Sequence, residues 1–298
     1  MATDNKFDPY AEITSQIIEA IEAGVAPWRQ PWSGGSGSAA LPLRSNGEPY
    51  RGINVLALWM AAHRNGFSSP FWMTYRQAQE LGGNVRKGER STTVVKYGSF
   101  ERANMETGED EQIPYLKAYR VFSADQCDGL PDRYAGMDRG QDECGAPPIE
   151  EFEAFFAATG AKISHGGSVA SYDMTADRVQ MPPIEAFISA THYYSTLAHE
   201  VVHWTGHKSR LDRFKKFEAK AGYAFEELIA EIGSCFVGAQ IGIEPTTEES
   251  AAYIGHWLKA LREDHRVIFK AASAAQKAAD FVLESAAGQP DQLQRGVA

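Results

Sequence analysis

Apolar residues return with a helical period at the start of the chain. Ile13, Ile17 and Ile21 recur every fourth residue behind Asp8, a helix N-cap type, and Pro9, a first-turn residue. This predicts a helix over about residues 9–23, ended by Gly24 and Pro27. The stretch SGGSGSAA (33–40) reads as a flexible loop. RGINVLALWMAAHR (51–64) reads as a second helix closed by Asn65-Gly66, and Tyr75 to Leu81 as a short third one stopped at Gly82-Gly83. From Thr92 the pattern becomes β-branched and aromatic. TTVVKYGSF, the polar turn ERANMETGEDEQ and IPYLKAYRVF form a β-hairpin signature.

The second half opens with an amphipathic helix, IEEFEAFFAAT, stopped by Gly160, and then an expected hairpin from Ile163 to Gln180. Helices follow at about 191–205, 225–240, 247–263 and 265–284. Helices followed by a hairpin make the first half α+β, and strands followed by helices give the second half the same class. The length suits two domains. Residues 131–148, rich in Gly, Pro and Asp, divide the chain into 1–130, a linker, and 149–298.

Composition adds limits. No run approaches the roughly 20 apolar residues of a membrane helix, and the N-terminus has no signal-peptide pattern, so a cytoplasmic protein without a membrane partner is expected. Cys127, Cys144 and Cys235 have no paired spacing, which points to neither a disulfide framework nor a cysteine metal site. The net charge of −10 is unevenly spread. Residues 29–102 hold ten Lys or Arg against four acids, a local +6, whereas residues 131–298 hold 16 basic and 24 acidic side chains.

The most specific feature is His199-Glu200-Val201-Val202-His203. Histidines four apart on a helix share one face, so both imidazoles reach one ion. Zinc in that position brings the pKa of water down to about 7, and Glu200 is placed as the proton acceptor. The motif lies among Tyr193, Leu197, Val201, Val202 and Trp204, in an apolar-periodic helix where ionisable groups without a common partner are costly.

A catalytic zinc needs a third protein ligand. His207 continues the spacing, but on an unbroken helix it lies about 12 Å along the axis from His199 and qualifies only if the helix breaks at Gly206. The metzincin pattern is approached at Gly206 and lost at Ser209. The segment Glu226-Glu227-Leu228-Ile229-Ala230-Glu231 resembles the glutamate zincins of thermolysin type. Matched residue by residue, the resemblance implies Glu227 as ligand and Glu231 as the acid orienting a ligand histidine. Glu227 and Glu231 share a helix face, and metal histidines donate their other N–H to such acceptors. The reverse assignment stays open, and Glu226 is expected on the solvent side. Tyr223, His256 and His265 are candidates for stabilising a transition state.

Motifs spread over nearly the whole chain resemble the ArdC-type antirestriction proteins. They are Pro27-Trp28, Pro31-Trp32, Tyr50-Arg51-Gly52-Ile53-Asn54, Trp72-Met73-Thr74-Tyr75, Gly82 to Glu89, Tyr119-Arg120-Val121-Phe122, Gln126-Cys127, HEVVHWTGH and FEELIAEIG. The first half also resembles the N-terminal region of TraC-type plasmid primases. The resemblance implies a single-stranded-DNA-binding domain followed by a metallopeptidase-like domain, protecting incoming plasmid DNA from host restriction. Val202 departs from it, standing where a glycine often precedes the second histidine.

Residues 28–100 themselves combine the basic excess with ten aromatics, four of them tryptophan, a mixture that suits stacked bases and tracked phosphates. Trp28, Arg29, Trp32, Tyr50, Arg51, Arg86, Lys87 and Arg90 are the candidate contacts, and the acidic turn Glu106 to Glu111 should face away. Aromatics at such positions are also ordinary core residues, and it is the resemblance that makes single-stranded DNA the expected partner, with a protein substrate or a restriction-system component as the second. Two other readings compete: a DNA-binding protein with a purely structural zinc, and a metal-dependent nuclease. The nuclease is disfavoured because clustered carboxylates, not histidines, suit its ions.

Overall fold

The computed structural model describes residues 7–28, 41–103, 110–135, 149–216, 220–246 and 251–288. The N-terminal segment runs α1 (Pro9–Glu22), β1 (Leu43–Arg44), α2 (Ile53–Asn65), β2 (Phe71–Met73), α3 (Tyr75–Glu80), β3 (Asn84–Val85), β4 (Thr92–Ala103), β5 (Asp110–Ser123) and β6 (Cys127–Asp128). Asp8 caps α1 by accepting from the Tyr10 amide, and Thr74 and Gln77 close a reciprocal capping box on α3. The sheet order is β1-β2-β5-β4, with β3-β6 as a separate pair. β4 and β5 continue past the sheet as a long antiparallel ribbon, paired from Thr92↔Val121 to Ala103↔Asp110.

The C-terminal segment runs α4 (Ile149–Ala158), β7 (Ile163–His165), β8 (Ser171–Asp173), β9 (Arg178–Met181), α5 (Ala190–Thr205), α6 (Lys220–Ile241), α7 (Ala251–Glu263) and α8 (Val267–Ala286). The expected 163–180 hairpin is a three-stranded sheet ordered β7-β9-β8, in which β7 lies parallel to β9. Alternation alone does not reveal that the first strand crosses over, and the crossover leaves β8 as an edge strand.

Every residue of α5 from Leu197 to Thr205 is buried, as expected of a helix surrounded by other elements. It packs on α6 at Gly233, where a Cβ would come within 2.9 Å of Val202. The bulk of Val202 is therefore accommodated by a glycine on the facing helix. That close approach brings the acids of α6 over the histidines of α5.

The two halves do not keep separate cores. One apolar cluster includes Ile13, Ile17, Trp28 and Trp59 together with Phe236, Trp257 and Phe269. Trp28 meets Trp257 edge-on at 5.5 Å, and Trp59 meets Phe236 at 5.9 Å. The Gly52 amide donates to Gln276 and the Thr14 hydroxyl to the His265 carbonyl. A smaller cluster of Met73, Ala78, Val85, Ala124 and Tyr134 lies under the β3-β6 pair.

Candidate metal centre and nucleic-acid face

His199, His203 and Glu227 converge, one ligand atom from each lying within 4.8 Å of the others. The Nε2 atoms of His199 and His203 are 3.1 Å apart, and each lies 3.5 Å from an oxygen of Glu227. Donors held about 2.0–2.1 Å from an ion at tetrahedral angles are separated by about 3.3–3.4 Å. The nitrogen–nitrogen distance and the nearest nitrogen–oxygen distances are therefore close to the edges of a zinc tetrahedron, with each Glu227 oxygen facing a different histidine.

The other ring nitrogens are also faced by acids. Glu226 Oε1 lies 3.4 Å from His203 Nδ1 and Glu231 Oε1 lies 3.7 Å from His199 Nδ1. His199 Nδ1 is fully buried and has no partner within hydrogen-bonding distance, so a small movement of Glu231 would satisfy it. Glu227 thus faces the convergence point, and Glu231 stands behind a histidine.

Glu226 corrects the sequence expectation. Instead of facing solvent it is only 2% exposed, because Arg213 reaches it from the loop after α5. Arg213 Nε and Nη2 donate to its two oxygens at 3.1 and 2.6 Å. Arg213 also donates to the Thr205 hydroxyl and the Val202 carbonyl, which fixes it to the end of α5. Burial alone would raise the pKa of Glu226, but His203 and Arg213 outweigh it and hold the carboxylate ionised. Glu227 shows the same balance, set mainly by His199 against burial. Burial depresses His199, yet Glu227, Glu231 and Glu200 together overcome it and raise the imidazole to about 9 in the absence of an ion.

α5 ends at Thr205, and His207 turns away to bond Ser209, with Asp177 3.9 Å off. It does not join the cluster. A cleft of about 350 Å3 opens over His199, Glu200, His203 and Glu227, walled by Tyr223, Phe214 and the edge strand through Ser171 and Tyr172. Tyr223 stands beside Glu227 at the cleft mouth, where burial and its neighbours Tyr253 and Glu227 raise its pKa. His265 lies outside this cleft, in a hollow beside α1, and His256 is not among the cleft residues.

The metal fold is shared with known proteins. A zincin-like metallopeptidase model matches residues 150–274, and a model for the N-terminal domain of the anti-restriction factor ArdC matches residues 7–122. The antirestriction protein ArdC of plasmid R388, solved metal-free, superposes with a TM-score of 0.85 at 54% identity, covering 96% of this chain and all of that one. The chain belongs to the ArdC antirestriction family. The Mn(II)-bound form of the R388 ArdC gives 0.82 at 53% identity, covering 95% of this chain and all of that one. In this family, then, a divalent metal is the indicated ion.

Protein y4eC of Sinorhizobium fredii is 40% identical over 92% of this ArdC-family chain and 91% of its own length. A DNA primase TraC of Escherichia coli is 38% identical over 92% of the chain, which spans only 27% of the primase. Among the described residues no helix is long and apolar enough to cross a membrane.

The nucleic-acid candidates are placed less uniformly. Trp28, expected as a stacking surface on a loop, is completely buried against Trp257 and offers no ring face to a base. Tyr50, 8% exposed, is likewise packed away, under the Arg44 guanidinium. Arg51 is exposed but paired with Asp280 of α8. Arg86 is held by Glu89, Asp128 and the Asp125 carbonyl, so it braces its own turn, while Lys87 and Arg90 are both exposed beside it. Arg29, Trp32 and the turn residues 106–109 lie outside the described residues.

Proposed function

We propose that this protein is a zinc-dependent peptidase acting on an extended stretch of polypeptide, joined to a single-stranded-DNA-binding half, and that it protects entering plasmid DNA from restriction in the recipient cytoplasm. The convergent triangle of His199, His203 and Glu227 carries the reading. A zinc ion held by that set supplies a Lewis acid and brings water deprotonation into the neutral range. Glu200, on the same turn of α5 and facing the cleft, accepts the proton and later returns it to the leaving amine. Glu226 faces the Nδ1 of His203, and a small movement would let Glu231 accept from the Nδ1 of His199, which would keep each Nε2 lone pair directed at the ion.

Substrate shape follows from the wall of the cleft. β8 is an edge strand with unpaired backbone groups beside the convergent donors. An extended chain adds to such an edge through main-chain hydrogen bonds, with side chains entering pockets alternately. Tyr223, in the cleft wall, is placed to donate to an oxygen at the mouth. The basic window 29–102, with the aromatics of residues 28–100, supports the DNA-binding part of the reading.

Protein loaded with one equivalent of zinc and incubated with an internally quenched peptide library tests this. Cleavage that is abolished by Glu200→Gln, with zinc still bound, is the expected result. Equal cleavage by the variant, or none by zinc-loaded wild type, makes the metal a structural one.

A further inference from the structure

The β4–β5 ribbon presents a face that the metal centre does not use. Paired residues of an antiparallel ribbon point to the same side. One side carries Thr93 with Arg120 and Tyr97 with Leu116; Thr93 and Arg120 bond Glu12 of α1, and Tyr97 lies near Tyr10 with 54% of its surface exposed. The other side carries, in order toward the tip, Val94 with Tyr119, Lys96 with Lys117, Gly98 with Tyr115, and Phe100 with Ile113. Val94 is buried; from Lys96 outward this side opens to solvent.

Three observations make this face unusual for a soluble protein. Lys96 and Lys117 sit directly opposite one another, a like-charge pair that weakens a ribbon. Both are exposed, and neither pairs with a carboxylate among the described residues; Lys117 instead lies 5.1 Å over the Tyr119 ring. Phe100 is 50% and Tyr115 38% exposed, with their rings 6.3 Å apart. Tyr115 also lies flat across the ribbon: a Cβ on Gly98 would fall 2.4 Å from its ring, so the glycine is what lets the ring lie there with its outer face open.

We infer that Lys96, Lys117, Phe100, Tyr115 and Tyr119 form the platform on which a single-stranded nucleic acid is bound. Cations that no carboxylate among the described residues neutralises, interleaved with the exposed rings of Phe100 and Tyr115 at about 7 Å steps along the strands, match a chain of phosphates and unpaired bases. A phosphate seated between the two lysines relieves their repulsion. A duplex keeps its bases stacked on each other and leaves the rings unused. The inference rests on the proposed DNA-binding reading and replaces the buried Trp28 and Tyr50 as its stacking surface.

Fluorescence anisotropy of a labelled dT15 strand with the full chain tests it. Phe100→Ala and Tyr115→Ala should each weaken binding about 5-fold or more, whereas Tyr115→Phe should bind as wild type does. Lys96→Gln with Lys117→Gln should flatten the plot of log affinity against log salt by about 1.4, the contribution of two single-strand phosphates. Unchanged melting temperature and zinc content would show that the variants are folded. Wild-type affinity in the ring and lysine variants overturns the platform and leaves the DNA-binding reading standing. Absence of dT15 binding by wild type overturns both.

Discussion

Arg213 is where the account of the metal centre is most exposed. Its guanidinium and the Glu226 carboxylate are 9% and 3% exposed, so Arg213→Met strands a buried charge. Breaking such a pair from one side costs about 3–5 kcal/mol. The Thr205 hydroxyl also loses a donor, although it still bonds the Val202 carbonyl. At roughly 2–4 °C per kcal/mol for a chain of this class, the melting temperature should fall by about 6–20 °C. Because Glu226 also faces His203 Nδ1, zinc affinity should fall about 10–100-fold. The double variant Arg213→Met/Glu226→Leu separates the two effects. It removes both buried charges and should recover most of the stability, yet His203 has still lost its acceptor and zinc affinity should stay low. Differential scanning calorimetry and competition against a chromophoric chelator measure the two quantities. Wild-type melting in Arg213→Met, or full zinc affinity in the double variant, would refute the argument.

In the same competition assay Glu227→Gln should weaken zinc binding by at least 10-fold while His207→Ala leaves it unchanged, since His207 is bonded elsewhere. His199 is raised to about 9 in the ion-free protein, above its unfolded value of about 6.5. Its contribution to stability is therefore complete below about pH 6.5 and lost as pH rises through 9. Ion-free protein should melt progressively lower over that range, and zinc affinity should climb over the same range as a proton leaves the site; a flat melting profile would contradict this. Trp257→Ala should cost about 3–5 kcal/mol and leave one cooperative calorimetric transition, because Trp257 joins both halves through Trp28; a loss confined to one of two transitions would show that the halves unfold independently.

Much of the convergent histidine–glutamate cluster was legible because its geometry follows helical spacing. Residues four apart meet on a helix, so His199 with His203 and Glu227 with Glu231 could be read as facing pairs. Glu226 was misread for the same reason. Its position suggests the outer side of α6, and only the fold shows Arg213 arriving there from a loop thirteen residues earlier. Trp28 and Tyr50 were misread because flanking glycines and prolines signal a loop but do not say what packs over it; α7, more than two hundred residues away, covers Trp28. The parallel β7-β9 pairing and the single core through both halves were hidden likewise, since each depends on long-range contacts. The exposed ring of Tyr115 was hidden by local register, as only the pairing with Gly98 shows that it lies flat.

Anomalous diffraction at the zinc edge from crystals of the zinc-loaded Glu200→Gln variant tests the central claim most directly. The account predicts one peak about 2.0–2.2 Å from His199 Nε2, His203 Nε2 and a Glu227 oxygen, with the remaining position open toward residue 200 and the edge strand β8. A peak bound by Glu231 or His207 would contradict it, as would a fourth protein ligand closing the site.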